Sequence, residues 1–190
     1  MEWVMRGKRV MVLVLGISGA SVAAADQLEI FASERAVQAG YDRPIRASNA
    51  DVSVAGFFNE DDDIMLNGGL VVSGQPPGQL PFSFGAGAKA YVFSLDDADE
   101  DLAAGALGGG VRYTIPANIP MHVSAEAFYA PEILTTGAGD NMLDFNTRFA
   151  VEFIPRTTGF IGYRMLEVDL NGGRDTELDD NIHVGLRLNF

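Results

Sequence analysis

The chain has 190 residues, no cysteine and a formal net charge of −13. That length suits one domain, and the absence of thiols excludes a disulfide framework or a thiolate metal site. The acidity argues against nucleic acid as a partner.

Arg6, Lys8 and Arg9 precede a short apolar run, Val10 to Ile17, and small residues then extend to Ala23 and Ala25. A basic start, an apolar stretch too short to span a bilayer and small residues at A-x-A positions predict a cleavable export signal over 1–25. Its removal takes away Glu2 and three cations, so the mature chain from Asp26 carries −15. No later segment approaches the roughly 20 consecutive apolar residues that a spanning helix needs. With no cysteine after the small residues, no amino-terminal lipid is expected.

Segment 26–50 (DQLEIFASERAVQAGYDRPIRASNA) reads either as a periplasmic lead-in that caps the rest of the domain or as two short strands, 28–33 and 36–43. From 51 onward, stretches of about ten alternating residues cycle with short loops, and no helical period of any length intervenes. Eight strands are expected, at 51–58, 64–73, 82–93, 102–114, 121–130, 142–153, 158–168 and 181–190. In LDFNTRFAVEF, Leu143, Phe145, Thr147, Phe149, Val151 and Phe153 share one face, and Asp144, Asn146, Arg148, Ala150 and Glu152 share the other.

A soluble sandwich also has one polar face per strand, so the connections must decide the architecture. Gaps one, three, five and seven read NEDDD, SLDDADED, PEILTTGAGDN and DLNGGRDTELDD, whereas gaps two, four and six read GQPPGQLP, IPANIP and IPRT. Successive connections of an up-and-down barrel alternate between its ends, so the acidic gaps fall on one rim and the Pro-rich gaps on the other. The four acidic gaps together carry −15, as much as the whole mature chain.

Strands of 9 to 11 residues fit a tilted transmembrane strand, and aromatic residues mark both strand ends. Phe82, Tyr113, Phe153 and Phe190 lie toward the Pro-rich end, and Phe58, Phe93, Tyr129 and Phe145 toward the acidic end, as two girdles. The expected fold is therefore all-β, a transmembrane antiparallel up-and-down barrel over 51–190. It has eight strands, or ten if 26–50 contributes two. A soluble periplasmic ligand-binding barrel is the competing architecture.

The final segment, NIHVGLRLNF, alternates strictly and closes on Phe190, with Leu186 and Leu188 in phase with it. In this it resembles the closing strand of outer-membrane proteins, and the resemblance implies that Leu186, Leu188 and Phe190 are read by the barrel-assembly machinery. The NEDDD turn, GAGAKAYVF, LGGGVRYTIP, AEAFYAPEIL and the GYR…DDNIHVGLRLNF close together resemble the YfaZ family of outer-membrane proteins. They cover most of 51–190, and 26–50 matches less clearly. The order of these glycine-rich motifs carries the resemblance more than any one of them. It implies a bacterial outer-membrane location, contact with outer-membrane lipid and lipopolysaccharide, and no established chemistry.

Four constellations remain. The lumen face should carry Lys89, Arg112, Glu126, Asp144, Arg148, Glu152, Arg164, His183 and Arg187. Mixed charge in a narrow barrel must pair, so these residues are expected to form an ion-pair network rather than a conduction path. A catalytic reading would use His122 with Ser124, or His183 with Asp179 or Asp180. It is disfavoured because residues i and i+2 of a strand lie about 7 Å apart. Asp61, Asp62 and Asp63, and Asp96, Asp97, Asp99, Glu100 and Asp101, offer hard oxygen ligands suited to weak divalent cations, without EF-hand spacing. Gly85, Gly87 and Gly108–Gly110 precede no helix, so they serve strand curvature rather than phosphate binding. The expectation is a monomeric outer-membrane barrel without cofactor and with a structural, interaction or envelope-maintenance role. A narrow porin-like channel is the first alternative, and an enzyme acting on lipid is the second.

Overall fold

Alternation dominates the fold as it dominates the sequence. The computed structural model describes residues 26–45, 48–78, 80–95, 100–137, 139–170 and 174–190; the expected signal 1–25 and Asp96, Asp97 and Asp99 lie outside the described residues. The strands are β1 (Gln27–Ser33), β2 (Ala36–Ile45), β3 (Ala50–Asn59), β4 (Ile64–Gly74), β5 (Phe82–Leu95), β6 (Glu100–Ile115), β7 (Met121–Ala130), β8 (Thr135–Gly137), β9 (Gly139–Ile154), β10 (Thr157–Leu170) and β11 (Arg174–Asn189). No helix among the described residues is long and apolar enough to cross a membrane.

All pairings are antiparallel. Because β5 pairs with β6 and β1 with β11, the sheet closes on itself. Ten strands make the barrel. The three-residue β8 pairs with Leu102–Ala104 of β6, taking over where the pairing of β6 with β7 stops at Leu107. One turn of 3₁₀ helix, Glu132–Leu134, joins β7 to β8.

The eight-strand expectation is thus corrected to ten, and within 26–50 the strands β1 and β2 are barrel wall rather than a lead-in. β1 alternates Leu28, Ile30 and Ala32 outward with Glu29 and Phe31 inward. It lies along β11 from Gln27 opposite Asn189 to Ser33 opposite His183, and the Phe190 N–H donates to the Asp26 carbonyl at 2.9 Å. Without β1 and β2, both β3 and β11 would present unpaired edges, which closure removes.

The connections alternate between the two ends as the sequence implies. The β1–β2 and β3–β4 turns and the 3₁₀ turn after β7 sit at the acidic end. The connections from β2 to β3, β4 to β5, β6 to β7 and β9 to β10 sit at the other end with Asp26 and Phe190. Asp62 and Arg156 hold left-handed φ of 63° and 69° in two of the tight turns. The wall is not level, since β1 reaches only His183 on β11 and leaves Arg174–Ile182 paired to β10 alone. Leu170 and Leu178 are buried, and the Asn59 side-chain amide donates to the Leu178 carbonyl at 3.4 Å.

The glycine run bends the wall. A side chain at Gly87 would collide with the Leu70 carbonyl, and one at Gly108 with the Ala127 carbonyl. Neighbouring backbones therefore approach more closely than any other residue allows.

Outside, the barrel is apolar. Leu66, Val92, Leu107, Val123, Ile161 and Val184 all face outward, with Leu107 at 63% exposure and Ile182 at 66%. A continuous belt of this kind on a soluble protein would be an aggregation surface, and on a closed barrel it is the face that meets lipid. Phe82 and Tyr113 pack at 4.8 Å near the Pro-rich end, where Phe153 and Phe190 are also exposed. Phe58 and Tyr129 occupy the girdle at the acidic end, but Phe93 does not. It is fully buried in the lumen, because it stands in phase with Lys89 and Tyr91.

Candidate functional site

The inward face of the barrel is layered. Toward the acidic mouth, Phe57, Met65, Phe93, Phe128, Met142, Leu166 and Val168 form one buried apolar cluster with Leu95, Leu102, Leu170 and Leu178. Every strand of the barrel except β1 contributes to this plug.

Charge begins beneath the plug. Arg164, 2% exposed, donates from Nε and Nη2 to Asp144 at 3.1 and 3.0 Å and from Nη1 to Gln38 at 2.7 Å. The Tyr91 hydroxyl donates to the same Asp144 carboxylate at 3.0 Å. The guanidinium also lies 5.3 Å from the centre of the Phe57 ring, which ties this tier to the plug. One tier lower, Glu29 accepts from Arg148 at 2.6 Å and from Arg187 at 2.6 and 2.9 Å. Arg148 also donates to Asn146 at 3.0 Å.

Below this tier the lumen opens. A cavity of about 400 Å³ faces the Pro-rich mouth, floored by Glu29, Arg148 and Arg187 and walled by residues that include Asp42, Asp51, Lys89, Arg112 and Glu126. Lys89 reaches Glu126 at 3.7 Å and sits 4.1 Å above the Phe128 ring. Among the described residues, Arg112, Asp42 and Asp51 form no ion pair within 4.0 Å.

The structure brings together most of the lumen residues expected from sequence. Lys89, Glu126, Asp144, Arg148, Arg164 and Arg187 all belong to the network. Glu152 does not. It lies near the Pro-rich end and accepts the Arg156 backbone N–H at 3.1 Å, capping the β9–β10 turn. The partner that Arg148 uses instead, Glu29, comes from the segment whose role the sequence leaves open.

Neither catalytic pairing is assembled. His122 and Ser124 both face inward, opposite Ala150 and Arg148 of β9. His183 is 1% exposed, packs 4.5 Å from the Phe31 ring, and has no hydrogen-bond partner on either ring nitrogen among the described residues. Asp179 accepts from Ser33 at 3.2 Å and from Asn181 at 3.1 Å, while Asp180 accepts from Tyr163. His183 fits because position 162, directly beside it, is glycine.

On the acidic rim, Asp61 pairs with Arg35 at 2.7 Å and Asp63 accepts from Asn59 at 3.0 Å. Hydrogen bonding to Glu60, reinforced by the charge of Asp61, holds the Arg35 guanidinium above its ordinary pKa. Asp62 is solvent-exposed in the turn and Asp101 on β6. Among the described residues, no group of three or more His, Asp or Glu side chains is placed to hold a metal ion. Glu100 opens β6. Leu186, Leu188 and Phe190 lie on the outer face, all exposed.

A protein-family model described as YfaZ precursor matches residues 7–190. No curated protein sequence matches the chain. Among solved structures, the crystal structure of the outer membrane channel DcaP of Acinetobacter baumannii is similar, with a TM-score of 0.43 and 12% identity. The match covers 90% of this chain and 60% of that one, so this chain spans about three-fifths of its length. A precursor whose mature part closes into a barrel with an apolar belt and aromatic girdles is an outer-membrane barrel protein.

Proposed function

This chain belongs to the YfaZ precursor family, and from that premise we propose that it is a closed outer-membrane barrel with a structural or interaction role, not a standing diffusion channel. The observation that carries this reading is the apolar plug. Among the described residues, Phe57, Met65, Phe93 and Leu166 are buried together toward the acidic mouth, and an ion forced among them would lose its hydration without compensation.

The acidic mouth faces the medium and the cavity faces the periplasm. This orientation holds if Phe190 ends on the periplasmic side, as in barrels assembled from a carboxyl-terminal strand. The belt sits in outer-membrane lipid with lipopolysaccharide around the acidic rim, the barrel-assembly machinery inserts the chain, and the protein works as a monomer without chemistry of its own. The buried ring of His183, with no hydrogen-bond partner on either nitrogen among the described residues, favours that last point over a lipid-modifying enzyme.

The test is reconstitution of purified, heat-modifiable protein into planar bilayers. The expected result is no steady conductance above the bare membrane in molar salt. A stable open level in most insertions would overturn the closed reading in favour of a narrow channel.

A further inference from the structure

The cavity below the plug has a charge pattern that a purely structural filling would not need. Four cations, Lys89, Arg112, Arg148 and Arg187, face four carboxylates, Glu29, Asp42, Asp51 and Glu126. Arg112 is exposed and Asp42 and Asp51 are half-buried, so these three charges border the water of the cavity and are accessible to a ligand. Here Glu29 takes both Arg148 and Arg187, and Glu126 takes Lys89, so this set keeps one positive charge in excess. Arg112, Asp42 and Asp51 remain without an ion-pair partner within 4.0 Å among the described residues.

The excess is also sorted in space. The free carboxylates stand on adjacent strands β2 and β3, while the cations come from β5, β6, β9 and β11. The wall of β2 and β3 carries no cation of the lining, and the remaining wall carries all four cations together with Glu29 of β1 and Glu126 of β7. Pockets of about 300–1,000 Å³ are the usual size for small-molecule sites, and barrel mouths are a usual place for them. At about 400 Å³ this one holds a molecule of amino-acid or dipeptide size.

We propose that the cavity binds a small zwitterion, with its carboxylate on Arg112 and the Arg148–Arg187 floor and its ammonium group on Asp42 and Asp51. A guanidinium offers a forked pair of donors that matches a carboxylate, and a carboxylate pair suits an ammonium group. A simple anion would satisfy the cations and leave Asp42 and Asp51 repelling it. A simple cation would meet the opposite fault. The inference relies on the closed-outward reading only for the side of entry, because in detergent the cavity is accessible whichever side it faces.

The test uses the full mature protein in detergent micelles, titrated at constant ionic strength with glycylglycine, with acetate and with ethylammonium, and followed by calorimetry and by amide NMR shifts of Gly109 and Gly110. Glycylglycine should saturate, whereas the two singly charged probes should not. Arg112→Gln and Asp51→Asn should each weaken binding about tenfold or more, the scale of one charge-assisted contact. Heat-modifiable migration checks folding, and Arg112→Lys, which keeps the charge but loses the fork, should fall between the parent and Arg112→Gln. Lack of saturation by glycylglycine, equal binding of acetate, or an Arg112→Gln variant that folds and binds as the parent does would each overturn the proposal. Conductance in planar bilayers is independent of these outcomes, so failure of the site and failure of the closed reading are told apart.

Discussion

Replacing Glu29 with Gln should unfasten the lower charge tier. Glu29 is 8% exposed at its side chain, and its partners Arg148 and Arg187 are 13% and 17% exposed, so all three are largely withdrawn from water. Three hydrogen bonds converge on its two oxygens. At about 1.5–3 kcal/mol for a bond to a charged group, they sum to roughly 4.5–9 kcal/mol. The Gln amide keeps one acceptor oxygen and loses the charge, which returns about a third to a half of that. A net loss of ~3–5 kcal/mol remains, the range found when one partner of a buried pair is removed. Urea unfolding of the refolded barrel in micelles, followed by the loss of heat-modifiable migration, measures it. Adding Arg148→Met to Glu29→Gln should recover part of the loss, because one of the two stranded guanidinium groups is then gone. A Glu29→Gln barrel within about 1 kcal/mol of the parent, or a cycle showing no coupling between Glu29 and Arg148, would refute the interdependence of these charges.

Phe57→Ala and Phe93→Ala should each cost ~3–5 kcal/mol by the cavity they leave, and small-ion conductance absent from the parent should appear in the double variant. Bilayers that stay silent with the folded double variant would move the seal down to the Arg164–Asp144 tier. Leu186→Arg places a charge on the lipid-facing side of β11 and should cost ~2–4 kcal/mol near the bilayer midplane, with lower outer-membrane yield measured by fractionation. Deletion of Phe190 should lower the yield as well, and normal accumulation of both variants would dismiss the closing strand as an assembly signal. For sidedness, Glu132→Cys in the β7–β8 connection should react with a membrane-impermeant maleimide on intact cells, and Asn118→Cys in the β6–β7 turn only after the outer membrane is breached. The reverse pattern would invert the topology.

Period-two alternation made the outer belt, the inward charges and the two-ended segregation of the loops legible from residues alone. It assigned the faces of β9 from Leu143 to Phe153 correctly, because apolar and polar positions alternate there almost without a break. It was weaker for β2, where Arg43 on the outer face and Pro44 next to it dilute the apolar row. That weakness left two strands undecided, and with them Glu29 and Gln38. Which charges pair cannot be read from alternation at all. Glu29 and Arg148 are 119 positions apart, and only closure of β1 on β11 brings them together. The plug illustrates a different limit. Phe57 and Phe58 are adjacent aromatics on opposite faces, so a count of aromatics near strand ends cannot separate girdle from seal. The phase could have done so for Phe93, which lies four positions from the inward Lys89.

The two charge populations of this molecule obey different physics. Carboxylates on the acidic rim such as Asp62 and Asp101 stand in water, where an excess of one sign is tolerated because salt screens it within a Debye length of about 8 Å at physiological ionic strength. Charges in the lumen come in near-equal numbers of both signs, and the most buried of them, around Glu29 and Asp144, are held in short contacts. In the closed reading proposed above, the plug lies between the two populations and keeps solvent ions of the mouth from the tiers below. Added salt should therefore relax repulsion among the rim loops while leaving the Glu29 and Asp144 clusters nearly unaffected. A salt titration of stability should then be flattened by neutralising exposed rim carboxylates such as Asp62 or Asp101, and left unchanged in slope by Glu29→Gln.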